Sequence, residues 1–145
     1  MFKKKGKIIK NKERELIRDL DSVPFPARHL LKNPNAYVPS NGLRLPVASI
    51  MTSRGCHGGC TYCCSKLLFG RSIRFRSVEN VIAEIEQCIK DFGVKEIHVQ
   101  DDVFTADKKR TLEFAREIKK RNLGLAFVFN NGLRADQVTR KYARH

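Results

Sequence analysis

An α/β fold with parallel strands is what this sequence predicts, from three observations. Beyond residue 46, short apolar or alternating runs at 47–53, 95–101 and 125–130 take turns with segments of helical period at 77–93 and 105–122. Strands that alternate with helices imply crossover connections and parallel pairing. All five prolines, Pro24, Pro26, Pro34, Pro39 and Pro46, fall in the stretch 21–46, ahead of the first strand. Hydrophobic residues fill 41% of the 145 positions, enough for a packed core and too many for disorder throughout.

The elements follow in order. Residues 1–18 are a charged amino-terminal arm, and Glu13 to Leu20 is expected to form a short helix. Residues 19–46 are expected to be a proline-rich linker extended over a surface, because proline lacks a backbone donor and disfavours helix in the residue before it. Residues 47–145 make up the core domain. Val47 to Ser53 reads as a buried strand, and a glycine- and cysteine-rich loop runs on to about Phe75. Ser77 is placed to cap the next helix, with Glu79 in its first turn. Val78, Val81, Ile82, Ile85, Ile89 and Phe92 recur at helical spacing, and Gly93 is a natural stop. Lys95 to Asp101 is the second strand. Thr105 or Asp107 opens a second helix that packs Leu112, Ala115 and Ile118 and ends near Asn122. Leu125 to Asn130 is the third strand, Asn131-Gly132 turns the chain, and a last helix starts near Asp136.

Composition narrows the function. No apolar run approaches the ~20 residues of a membrane span. The start, Met1-Phe2-Lys3-Lys4-Lys5-Gly6-Lys7, is basic but lacks the apolar stretch of a secretory signal. Five cysteines, four of them between Cys56 and Cys64, suit reduced thiols holding metal in a cytoplasm better than a disulfide framework. The net charge of +14 is large enough to attract nucleic acid. The positive residues are nevertheless spread over the arm, the helix around Lys108 to Arg121 and the tail, not gathered in one aromatic-studded stripe. A solvated basic surface, or a face for an acidic partner domain, explains them equally well.

The run Ser53-Arg54-Gly55-Cys56-His57-Gly58-Gly59-Cys60-Thr61-Tyr62-Cys63 carries the most chemistry. Its spacing is CxxxCxxC with an aromatic residue before the last cysteine. Cys56, Cys60 and Cys63 are the candidate metal ligands. Three thiolates on one loop can hold three corners of an iron–sulfur cube and leave the fourth iron open. Such clusters usually have four cysteines, so three point to catalysis over electron transfer. The alternative is a zinc site completed by Cys64 or His57, since thiolates suit both metals. Structural zinc sites more often use two separated CxxC elements, and no second pair is present. Gly55, Gly58 and Gly59 let the backbone fold tightly. Cys64 reads as a free thiol and Cys88, beside an apolar helix stripe, as a small buried hydrophobe.

The loop resembles the cluster motif of the radical S-adenosylmethionine (radical SAM) enzymes, CxxxCxΦC, with Tyr62 at the aromatic position. Its surroundings are similar to the cobalamin-dependent branch: Ser53-Arg54-Gly55-Cys56 leading into the loop, Asp101-Asp102-Val103-Phe104 ending a strand, and Leu20 to Arg28 as the linker ahead of the barrel. The resemblance runs from about Asp19 to Val138. It implies the front half of a partial (β/α)6 TIM-like barrel, with about three βα units visible, and so either a truncated reading frame or a half that needs a second chain. It implies a 4Fe-4S cluster that binds S-adenosylmethionine and reductively cleaves it to a 5′-deoxyadenosyl radical, which abstracts hydrogen from a substrate. It implies an electron donor such as flavodoxin or ferredoxin. The chain lacks the Asp-x-His-x-x-Gly type of cobalamin motif, so cobalamin reaches it only through another chain.

The same resemblance assigns cofactor contacts. Tyr62 packs near the adenine. Gln100 or Asp102, at the end of the second strand, accepts from the cofactor's ammonium, in the place of the family's glycine-rich motif. Asp101 then faces outward and caps the turn; N-capping and turn chemistry explain both aspartates as readily. Ile97 and Val99 face one way along that strand, His98, Gln100 and Asp102 the other, and His98 reads as a satisfied interior histidine. Asn130, Asn131 and Arg134 are candidates for the cofactor carboxylate or the substrate, with a plain turn as the alternative for the asparagines. Arg54 either supports the cluster's charge or pairs with an aspartate. Two other functions remain open on sequence: a basic zinc-binding module for nucleic acid, and a radical SAM enzyme that modifies transfer RNA.

Overall fold

The computed structural model describes residues 1–33, 39–134 and 136. Its core is set by one amphipathic helix and the strands it covers. Val78–Phe92 forms α2, capped by Ser77, whose side chain accepts from the Asn80 N–H. Gly93, at φ 63°, ends it, with its N–H on the Ile89 carbonyl at 2.9 Å. Val81, Ile82 and Ile85 are completely buried, each contributing about 1.5–3 kcal/mol by burial. They pack on a sheet of β3 (Val47–Ile50), β6 (Glu96–Val99) and β7 (Ala126–Phe129) in the order β3-β6-β7. Both pairings are parallel, with Val47 opposite Glu96 and Glu96 opposite Ala126. The expected parallel α/β architecture is therefore present, and is consistent with the start of a barrel.

Helix α3 (Lys108–Arg121) follows β6. Asp107, not Thr105, caps it, accepting from the Arg110 N–H at 3.0 Å, and Asn122 ends it at φ 48°. Its inward face differs from expectation. Phe114 is buried and packs edge-on against Phe104 and Phe127, with Ile118 beside it, while Leu112 is only half-buried and outside the core cluster. The helix leans on the aromatic residues of β7, which turns Phe114 inward in place of Leu112 and keeps Ile118 on the packed side as expected. Arg121 ties α3 to α2 through Glu79 and Glu86.

Two expectations for the amino-terminal half are corrected. Glu13 to Leu20 contains no helix. The arm instead begins with an antiparallel hairpin of β1 (Phe2–Lys4) and β2 (Lys7–Ile9), turned by Lys5 and Gly6 at positive φ. Residues 13–20 are held by tertiary contacts: Leu20 is buried, and the Ile17 carbonyl accepts from Arg74 at 2.6 Å. A short segment does not recoup helix nucleation when its backbone and apolar groups find partners elsewhere. The last helix, expected from near Asp136, lies outside the described residues. No helix among the described residues is long and apolar enough to cross a membrane.

The proline-rich stretch is fastened to α2 by one buried carboxylate. Glu84, 1% exposed, receives Arg28 at 2.6 Å on Oε1 and Arg76 on Oε2. Arg28 also donates to the Ser49 carbonyl at 2.8 Å, and Arg76 stacks over Phe25 at 5.3 Å. Glu84→Gln keeps the shape and removes the charge shared by two guanidiniums. Chemical denaturation is expected to show a loss of about 1.5–3 kcal/mol.

Candidate metal centre

After β3 the chain enters β4 (Ser53–Arg54), which pairs antiparallel with β5 (Arg74–Phe75). This short ribbon closes the base of the cysteine loop, which spans the residues between the two strands and contains the five-residue helix α1, Ser65–Phe69. The ribbon explains Gly55. Its φ is +100°, and a Cβ there would lie 2.4 Å from the Ser72 carbonyl oxygen, so only glycine fits. Gly58 has a different reason: a Cβ would stand 3.2 Å from Sγ of Cys56 and 3.9 Å from that of Cys60. Gly59 has open space around it and is an ordinary loop glycine.

The three predicted ligands are brought together. Cys56, Cys60 and Cys63 line one small cavity with Gly58, Ser65 and Lys66. The Gly58 N–H donates to Sγ of Cys56 at 3.2 Å, and the Ser65 N–H donates to Sγ of Cys63 at 3.4 Å. Backbone N–H groups aimed at sulfur stabilise thiolates and tune an iron–sulfur cluster. The donor set, the glycine at closest approach and these N–H groups fit a cluster. Among the described residues no three Cys, His, Asp or Glu side chains are grouped to hold a single metal ion. A cubane does not require such a grouping, because each cysteine binds a different iron. Cys64 is exposed and outside the cavity lining. Cys88 is 1% exposed, and burial pushes its thiol above the ordinary value, as expected for a packing residue.

The residues at the strand ends are partly rearranged. Asp101 does not face outward. It is 2% exposed and accepts three hydrogen bonds: from the Thr52 N–H at 2.6 Å, Thr52 Oγ1 at 2.5 Å and Ser53 Oγ at 2.6 Å. Two donors at the β3–β4 corner and a third on β4 can be satisfied only by an inward carboxylate. Asp102 is half-buried and accepts from Ser65 Oγ at 2.5 Å. Gln100 is half-buried, its amide 3.4 Å from Ser49 Oγ. Tyr62 is 91% exposed, with its ring in solvent.

His98 is fully buried, its Nε2 2.6 Å from Oε1 of Glu96. That bond, with the N–H groups of Leu43 and Arg44, holds the Glu96 carboxyl below the ordinary carboxylate value against the opposing effect of burial. Asn130 is turned towards His98 Nδ1, at 3.4 Å, and receives Asn41 at 3.0 Å. Asn131 donates to the carbonyls of Gln100 and Asp101. Arg134 pairs with Asp136. Arg54 is half-buried, and no aspartate pairs with it among the described residues.

Sequence reasoning missed Ser65 and Arg110. Arg110 is 8% exposed inside a helix of charged residues; it donates to the carbonyls of Thr52 and Arg76 and lies over Phe75 at 5.1 Å. Burial pushes its pKa down from the ordinary guanidinium value. It props the β3–β4 corner from below. It lies one turn before Phe114 on the inward face of α3, which separates it from its exposed neighbours Lys108 and Lys109 only once that face is known.

A model of the radical SAM superfamily matches residues 50–145, from the end of β3 onward. This chain belongs to the radical SAM superfamily. It is 37% identical over 127 residues to an uncharacterized methyltransferase of Pyrococcus horikoshii, covering 88% of this chain and 27% of that protein. It is 34% identical over 120 residues to cytidylyl-2-hydroxyethylphosphonate methyltransferase of Streptomyces wedmorensis, covering 79% and 22%. It is 30% identical over 125 residues to anaerobic magnesium-protoporphyrin IX monomethyl ester cyclase of Rubrivivax gelatinosus, covering 86% and 22%. The chain thus spans about a quarter of the length of these curated relatives. These relatives are named for methyl transfer and for ring closure.

Proposed function

We propose that this radical SAM chain holds a 4Fe-4S cluster on Cys56, Cys60 and Cys63 and binds S-adenosylmethionine at the iron left without a protein ligand. The shared cavity of the three cysteines, with N–H groups directed at two of the sulfurs, carries the reading. When bound, the cluster and S-adenosylmethionine supply one-electron cleavage to a 5′-deoxyadenosyl radical. The chain's own residues hold and orient. Gly55 lets the loop leave the ribbon, and Asp101 and Arg110 brace the corner in front of it. Gln100 offers a side-chain carbonyl to the cofactor's ammonium from the end of β6. Tyr62, exposed on the loop, is free to cover the adenine, and Asn130 stands at the end of β7 for the carboxylate or substrate.

Reaction of the whole protein, on the model of its named relatives, is methyl transfer or ring closure on a substrate shaped by residues outside this stretch. For this chain by itself the proposal is cluster and cofactor binding. An electron donor such as flavodoxin or ferredoxin, a reducing cytoplasmic setting, and a second chain for cobalamin or for the rest of the barrel complete it.

The test is iron, labile sulfide and zinc content after anaerobic purification and reconstitution. Near four irons and four sulfides per chain are expected, falling to background in the Cys56→Ala, Cys60→Ala, Cys63→Ala triple variant. Zinc without sulfide, or iron retained by the variant, would overturn the proposal in favour of the zinc reading.

A further inference from the structure

The tandem aspartates beyond β6 reach either side of the three cysteines. Asp101 takes the near side, through Thr52 and Ser53, just ahead of Cys56. Asp102 takes the side beyond Cys63, through Ser65 Oγ at 2.5 Å. That serine's backbone N–H is the group that donates to Sγ of Cys63, at 3.4 Å. Ser65 is 8% exposed, whereas every residue from Gly59 to Cys64 is exposed. A buried hydroxyl at the edge of a solvent-facing loop demands an acceptor, and Asp102 is the acceptor present. The loop has little apolar anchoring of its own, with Tyr62, Leu67 and Leu68 all in solvent. Polar anchors on both sides of the three cysteines therefore hold their span.

We propose that Asp102 is a positioning residue. Through Ser65 it fixes the N–H···S bond to Cys63, and with Asp101 it sets the separation of the first and last cysteines from one point, the end of β6. This departs from a role for Asp102 as ligand of the cofactor's ammonium, and its functional meaning rests on the cluster reading above. Groups that orient metal ligands act on retention and on potential. An N–H···S bond draws charge from the thiolate, so its loss lowers the cluster's reduction potential.

The experiment compares Ser65→Ala, Ser65→Thr, Asp102→Ala and the Ser65→Ala/Asp102→Ala double variant after anaerobic reconstitution with iron and sulfide. Ser65→Ala and Asp102→Ala are each expected to lower cluster retention against a chelator by about 10–100-fold. The double variant is expected to lose no more than the worse single, and Ser65→Thr to behave as wild type. Ser65→Ala is also expected to move the midpoint potential to more negative values. Hydrogen exchange in the cluster-free protein reads the latch directly: the amide at residue 65 is protected in wild type and released by Asp102→Ala. Additive losses in the double variant would overturn the proposal. So would an Asp102→Ala variant that binds S-adenosylmethionine weakly while keeping wild-type retention and exchange. A wild-type protein that takes up no iron or sulfide, yet loses protection at residue 65 in Asp102→Ala, would leave the latch standing and remove the cluster reading.

Discussion

Gly55→Ala is expected to lose about 3 kcal/mol or more of stability and, on the proposed cluster reading, its bound iron and sulfide. The added Cβ would meet the Ser72 carbonyl oxygen at 2.4 Å, and the backbone would have to keep a φ of +100° that side chains other than glycine's rarely allow. Each of these costs is of order 1–3 kcal/mol. The neighbour is backbone on the return side of the loop, so it cannot rotate away as a side chain would. Relief requires opening the β4–β5 ribbon, and that separates Cys56 from the rest of the ligand set. Denaturant titration measures the first effect and iron and sulfide content the second. Gly59→Ala, where nothing lies within 4 Å, is the matched control and is expected to stay near wild type in stability. Equal behaviour of the two variants would mean that the ribbon does not shape the loop.

Asp101→Ala is expected to be as severe, at about 3–5 kcal/mol. The carboxylate is 2% exposed and accepts from three donors. Its removal strands the Thr52 N–H and two hydroxyls in the interior. It also removes the opposing charge that acts most strongly on the buried Arg110 guanidinium, whose Nη1 already lacks a hydrogen-bond partner among the described residues. Asp101→Asn retains an acceptor and is expected to cost less, about 1–3 kcal/mol. Thermal unfolding of the cluster-free protein separates this structural loss from any effect on iron. An Asp101→Ala protein as stable as wild type would show that the β3–β4 corner is held by packing alone.

Much of this was legible because it depends on local pattern. The stripe from Val78 to Phe92 and its caps Ser77 and Gly93 specify α2, and the three strands of the parallel sheet lie within their apolar runs, although the run 47–53 breaks after Ile50 and its end pairs with β5 inside what reads as loop. The cysteine spacing placed Cys56, Cys60 and Cys63 at one cavity because residues on one loop are neighbours in sequence. The amino-terminal hairpin was not legible: Lys5 and Gly6 make a positive-φ turn inside a run that reads only as charge. Helix α3 misled in another way, since Leu112 and Phe114 are both plausible inward residues until the aromatic residues of β7 are in place.

The sequence by itself determined helices α2 and α3, the three strands of the parallel sheet and the placing of three cysteines on one loop, all consequences of residues at most a few positions apart. Only the tertiary structure decided which way the tandem aspartates point, why Gly55 must be glycine, and that Glu84, Arg110 and Ser65 matter. Most of those roles are contacts between distant parts of the chain, such as Asp101 on Thr52 and Arg110 on the same residue's carbonyl. A carboxylate or guanidinium looks alike in sequence whether it is solvated or buried. Its role is set by which donors and acceptors the packing leaves without water.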